Sequence, residues 1–160
     1  MRTYTVPFVA VAVSAVQDLW YLKPAADKPI KLHGFEISNV GGTADAGDAQ
    51  EELLRVEVIR LPATVTAGIG GAAVTPAPIT PNDVAAGFTA RCNDTTVATT
   101  SGTAQTKHAT GLNIRIPTPF VVPPEWRMVI SNAEAIVIRL NLAPADAVNL
   151  SGTAWVEELV

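Results

Sequence analysis

The residues of this 160-residue chain that could do chemistry are two histidines, one cysteine and a few carboxylates, and their spacing brings none of them together. His33 and His108 are far apart, with no second ligand at metal-like spacing. His33 falls in a strand-like segment near Lys31, which predicts an exposed or interface imidazole. Arg91 beside Cys92 would favour a thiolate, but no histidine stands nearby in the sequence to act as a base, so Cys92 reads as an inert small side chain. Asp45, Asp48, Glu51 and Glu52 cluster after Gly41-Gly42 and around Gly47. Such oxygens could hold calcium, yet their spacing is not that of a twelve-residue EF-hand loop, and a solvated loop is expected. The closing Glu157-Glu158 pair reads as a charged strand end that discourages edge pairing.

Gly68-Ile-Gly-Gly-Ala-Ala73 fits the dinucleotide fingerprint in form. That chemistry needs a helix to begin there and aim its amides at a pyrophosphate. Val74-Thr-Pro-Ala-Pro78 follows instead and cannot be that helix, so a loop is expected. Asn93-Asp-Thr95 and Asn149-Leu-Ser151 satisfy the glycosylation tripeptide without a convincing secretory signal to give it meaning. Of the three tryptophans, Trp126 shares parity with Met128 and Ile130 and reads as core. Trp20 and Trp155 stand on less clear faces and keep a sugar-stacking role open.

The elements that would position these residues are strands. Thr3 to Val13, Gln17 to Leu22, Ile30 to Ser38, Leu53 to Leu61, Leu112 to Ile116, Trp126 to Ile130, Ile136 to Leu142 and Leu150 to Val160 are β-rich and mostly alternating, and Pro, Gly and Asn punctuate them. No amphipathic helix of ten residues is visible. The fold expected is all-β: an antiparallel two-sheet sandwich of jelly-roll type in a single domain over 1–160. Phe120-Val-Val122, bracketed by Pro117, Pro119, Pro123 and Pro124, can serve only as an edge or a sheet-switching corner.

Between Ala63 and Thr110 the grammar changes. The segment is almost wholly Ala, Thr, Gly and Pro, and its only charges are Asp83, Arg91, Asp94 and Lys107. With no sustained period, 63–110 reads as an extended loop or arm inserted in the domain, with 66–110 mobile when free, ordered when docked on neighbours and dispensable to the β-core. Val74 to Pro81 should run close to polyproline II.

With 48% hydrophobic and 16% charged residues, the chain can bury one core but has little charged surface. A net charge of −4 with scattered Lys and Arg argues against a nucleic-acid partner. No run reaches the ~18 apolar residues of a membrane span, so no membrane partner is expected. The start, Arg2 followed by Val6 to Val13 and Ser14-Ala15, has signal-peptide features, but Pro7 and strand-like alternation favour a retained first strand. A single cysteine fits a reducing compartment or an assembly stabilised by burial alone.

The layout resembles the small jelly-roll proteins that decorate, or cement, the capsids of tailed bacteriophages. The resemblance rests on Arg2-Thr-Tyr-Thr-Val-Pro7, Gly68 to Pro81, Val122-Pro-Pro-Glu-Trp-Arg-Met128, Ile136-Val-Ile-Arg-Leu-Asn141 and Gly152-Thr-Ala-Trp-Val-Glu-Glu158. It implies a non-enzymatic virion protein, made in the host cytoplasm and placed on the capsid exterior, that forms a homotrimer and bridges neighbouring subunits of the major capsid protein. No cofactor, metal or catalytic residue is expected. The gripping elements expected are Thr3, Tyr4, Val6 and Phe8 from the N-terminal segment and Val74, Thr75, Pro76, Pro78, Ile79 and Pro81 from the excursion. A phage tail, baseplate or neck component, a carbohydrate-binding β-sandwich module and an enzyme of unrecognised type are the competing classes.

The low charge fraction, with more apolar strands than one small surface should expose, predicts a stable homo-oligomer, a trimer by the resemblance. Sedimentation equilibrium at micromolar concentration should give three times the monomer mass; a monomer throughout would contradict it.

Overall fold

A computed structural model describes residues 1–39 and 51–159. The Gly41-Gly42 turn, Asp45, Asp48 and the calcium question they raised lie outside the described residues. The fold is all-β and antiparallel. Its long strands are β1 (Arg2–Val13), β2 (Gln17–Lys23), β3 (Ile30–Ser38), β4 (Leu53–Leu61), β10 (Gln105–Asn113), β13 (Ala135–Leu140) and β14 (Val148–Glu158). Between β4 and β10 lie β5 (Val65–Thr66), β6 (Ala72–Val74), β7 (Ala77–Pro78), β8 (Thr89–Asp94) and β9 (Thr99–Thr100). After β10 come β11 (Thr118–Val121), a 3-10 turn (Pro124–Trp126) and β12 (Val129–Ile130). Among the described residues no helix is long and apolar enough to cross a membrane.

Two six-stranded sheets form. The first has the order β11-β3-β14-β1-β7, with β12 also on β3, and the second has the order β10-β4-β13-β2-β8-β6. Alternation explains the core between them: in β1, Tyr4, Val6 and Phe8 point inward, and in β3, Phe35 and Ile37 do the same. Trp20 of β2 is fully buried at the centre, and its indole N–H donates to the Val6 carbonyl oxygen at 2.8 Å, which ties the two sheets together. Phe8 and Phe35 flank the indole at ring separations of 4.9 and 6.1 Å. Gly152 is required there, because a Cβ would sit 2.7 Å from the indole and 2.7 Å from the Glu36 carbonyl oxygen.

The excursion is not a free arm. β8 is an integral strand of the second sheet, paired with β2 from Asp18↔Asp94 to Lys23↔Thr89, and it places Ala90 and Cys92 in the core. β7 adds to the edge of the first sheet, and β6 extends the second. β5 pairs with β9, and Val65 and Ala98 from this region cover Tyr21, Ile59, Leu61, Ala135 and Val137 on the outer face of the second sheet. Further along, Phe88 packs edge-on against Tyr4, whose hydroxyl donates to the Val84 carbonyl oxygen at 3.0 Å. The physical reason for the correction is pairing. Small side chains satisfy their backbone groups in ladders with neighbouring strands, β8 on the doubly buried β2, β6 on β8 and β7 on β1, so no hydrophobic period of their own is needed.

Two further expectations change. Trp126 is 75% exposed, because Pro123 and Pro124 open a 3-10 turn instead of continuing a strand. The alternation Leu112-Ile114-Ile116 is the tail of a strand that begins at Gln105, and the strand itself ends at Asn113.

Replacing 67–104 with a short Gly-Ser linker removes β6 to β9 and uncovers Tyr21, Ile59 and Val137. The expected outcome is loss of cooperative thermal unfolding, followed by circular dichroism; a variant that melts cooperatively near the parent temperature would restore the arm reading.

Candidate functional site

The two segments expected to grip a partner lie side by side. β7 pairs with the start of β1, Pro78 opposite Tyr4 and Ala77 opposite Thr5, and the Ile79 amide donates to the Thr3 carbonyl oxygen at 2.9 Å. The residues are not equally available. Tyr4, Val6 and Phe8 are corrected from partner contacts to core, and Pro76, between β6 and β7, is buried as well. For the three β1 residues strand alternation is the reason: a segment chosen whole includes its inward face. Thr75, Pro78, Ile79 and Pro81 are exposed, and Thr3 and Val74 are half-buried. No charged side chain occurs between Ala63 and Asn82. The strip therefore presents small and apolar groups, with Ile69 65% and Ile79 52% exposed. Arg2 and Asp83, 3.8 Å apart, close its lower end.

A buried polar anchor fixes the excursion from behind. Asp18 of β2 is fully buried; its carboxylate accepts from Arg139 Nε at 2.5 Å through Oδ1 and from the Ala98 amide at 2.6 Å through Oδ2. Arg139 also donates to the Ala98 carbonyl oxygen at 3.0 Å. Beside it, buried Asp94 accepts from Arg91 at 2.7 and 2.9 Å and from the Gly71 amide at 3.0 Å. Gly71 leaves no room for a side chain, since a Cβ would lie 2.1 Å from the Cys92 carbonyl oxygen. Burial pushes the Asp18 carboxyl above its ordinary range, and Arg139 and the Ala98 amide pull it back. Sequence reading missed this anchor. The hint was an aspartate directly before the apolar run Leu19-Trp-Tyr-Leu22, but its partner Arg139 lies 121 residues away.

The candidate chemical groups are dispersed. Cys92 is buried, and desolvation, with Asp94 adding to it, pushes its thiol up to about 12, which fits an inert side chain. His108 is half-buried and stacks on Phe120 at 3.9 Å; burial lowers its pKa. It lines a cleft of about 60 Å³ with Val58, Phe120, Val122, Trp126 and Met128, too small for a typical substrate. His33 is part-buried and lies 2.6 Å from the Glu157 carboxylate. Glu157 and Glu158 are therefore corrected: both are buried, the first tying β14 to β3 and the second accepting the Gly87 amide at 2.7 Å. Gly68 to Ala73 leads into strand β6, and Gly70 takes φ +97°. Glu51 and Glu52 accept from Asn113 Nδ2 and the Ala145 amide. Among the described residues no three His, Cys, Asp or Glu side chains converge as a metal site.

Comparison with protein-family models, curated proteins and solved structures finds no match to the chain.

Removing one member of the Asp18–Arg139 pair strands the other. Arg139→Met should cost about 3–5 kcal/mol at neutral pH, the range for breaking a buried ion pair. Asp18 would then have a folded pKa well above its unfolded one. Its contribution to stability is present below the unfolded pKa and is lost as pH rises through the folded pKa. Urea titrations of Arg139→Met should therefore show the deficit against the parent growing from pH 4 to pH 7; a pH-independent deficit would contradict the anchor.

Proposed function

We propose that the protein is a non-enzymatic phage virion protein that decorates the capsid exterior and stabilises it by bridging neighbouring subunits of the major capsid protein. The observation that carries the reading is the uncharged strip from Ala63 to Asn82, which supplies the outer edge of both sheets at β6 and β7. Interface cores are depleted of charge, and a free surface strip without any charged group suits a lasting protein contact. The strand order supports the fold-level part. β1-β14-β3-β11 and β2-β13-β4-β10 are two four-stranded sets between which the chain passes repeatedly, as in an eight-stranded jelly roll.

Bridging works by linkage. A protein that binds the assembled lattice and not the free subunit adds its binding free energy to the closed shell. In a homotrimer, seating one copy places the other two at high effective concentration, so modest contacts sum to firm attachment. A strip backed by β8 and the Asp18 anchor is ordered before it binds, which reduces the entropy lost on docking. Thr3, Val74, Thr75, Pro78, Ile79 and Pro81 are the contact residues.

Ile79→Asp places a charge on that strip without touching the core. Its melting temperature should match the parent, while co-sedimentation with phage capsids should weaken at least tenfold, corresponding to ~1.4 kcal/mol. Undiminished co-sedimentation would remove the strip from the interface.

A further inference from the structure

The outer faces of the two sheets differ. The second is covered by the β5–β9 layer, whereas the first is open, and along β14 it presents Ser151, Thr153 and Trp155. Register places Ser38 opposite Ser151, Glu36 opposite Thr153 and Gly34 opposite Trp155. Glu36, Ser38, Ser151, Thr153 and Trp155 line a depression of about 250 Å³. Gly34 places no β3 side chain opposite the indole, and β11 backbone packs against it, since a Cβ there would meet the Phe120 carbonyl oxygen at 2.3 Å. Glu36 is exposed and makes no ion pair among the described residues.

We infer that this depression is a binding site for a neutral oligosaccharide. A half-buried indole offers an apolar face to the C–H side of a pyranose ring. A carboxylate accepts charge-assisted hydrogen bonds from vicinal hydroxyls, and serine and threonine hydroxyls both donate and accept. The combination of one aromatic plate, the Glu36 carboxylate and the Ser38 and Thr153 hydroxyls suits a ligand rich in hydroxyl groups, with Ser151 held in the wall by the Ala10 amide at 2.9 Å. It offers no deep apolar pocket for a hydrophobic side chain. Among the described residues the one ionisable group lining the depression is the Glu36 carboxylate, which selects against uronic and other acidic sugars. A sugar site of this kind does not depend on capsid bridging, because it uses the open face of β14 and β3 and leaves β6 and β7 free.

Isothermal titration of the purified protein with cellohexaose, maltohexaose and laminarihexaose, and with trigalacturonic acid as the acidic probe, tests the site. At least one neutral hexaose should bind with a sub-millimolar Kd, and trigalacturonic acid should bind at least tenfold more weakly. Trp155→Ala and Glu36→Gln should each weaken the neutral ligand at least tenfold, while Trp126→Ala, at the exposed indole outside the depression, should not change it. Glu36 is exposed, so Glu36→Gln tests the site even where Trp155→Ala perturbs folding. Absence of binding by all three neutral hexaoses at about 10 mM, equal affinity for the acidic probe, or retained affinity in Glu36→Gln would overturn the assignment. Capsid co-sedimentation is read separately, so the two proposals fail independently.

Discussion

Strands β2 and β13 are apolar on both faces, and the rest of the structure follows from the need to cover them twice. From Gln17 to Leu22 every side chain of β2 is buried, and Ala135 to Ile138 are buried in β13. A sheet in an ordinary two-layer sandwich buries one face and solvates the other. Here the inner face meets the first sheet around Trp20, and the outer face meets a third layer built from the excursion. Leaving Tyr21, Ile59 and Val137 in water would forfeit about 1.5–3 kcal/mol for each large apolar side chain, enough to remove much of a small domain's stability.

That demand accounts for the composition of the excursion. A covering layer that lies flat on a sheet and also threads two sheet edges needs narrow side chains, tight turns and freedom from charge. Ala, Thr, Gly and Pro supply these. Such a layer cannot hold itself in place by hydrophobic burial alone, and the buried Asp18 supplies the missing hold by accepting the Ala98 amide. Arg139 completes the pair and grips the same residue's carbonyl oxygen. The uncharged outer strip at β6 and β7 thus follows from the folding requirement.

The alternating strands were legible. Thr3 to Val13, Ile30 to Ser38, Leu53 to Leu61 and the final strand stand within a residue or two of their places in the sheets, because one face of each is apolar and the other is not. β2 carried a signal that went unread: an unbroken run such as Leu19-Trp-Tyr-Leu22 marks a strand covered on both faces, and it implied a third layer. β8, Thr89-Ala-Arg-Cys-Asn-Asp94, has no such signal, since its place is decided by the neighbour it pairs with. Parity misled at Trp126, where two prolines ended the strand before the pattern began. The N-terminal segment and the 74–81 segment do lie side by side, but which of their side chains face outward depended on a register that Tyr4 and Pro76 alone do not reveal.

Native-state amide hydrogen exchange across residues 63–110 tests this account most directly. If the excursion is the third layer, the Ala98 amide and the amides of β8 should exchange only through global unfolding, with the same opening free energy as β13 in the centre of the second sheet. Exchange of Ala98 and β8 at rates near those of an unstructured peptide, while β13 stays protected, would contradict it.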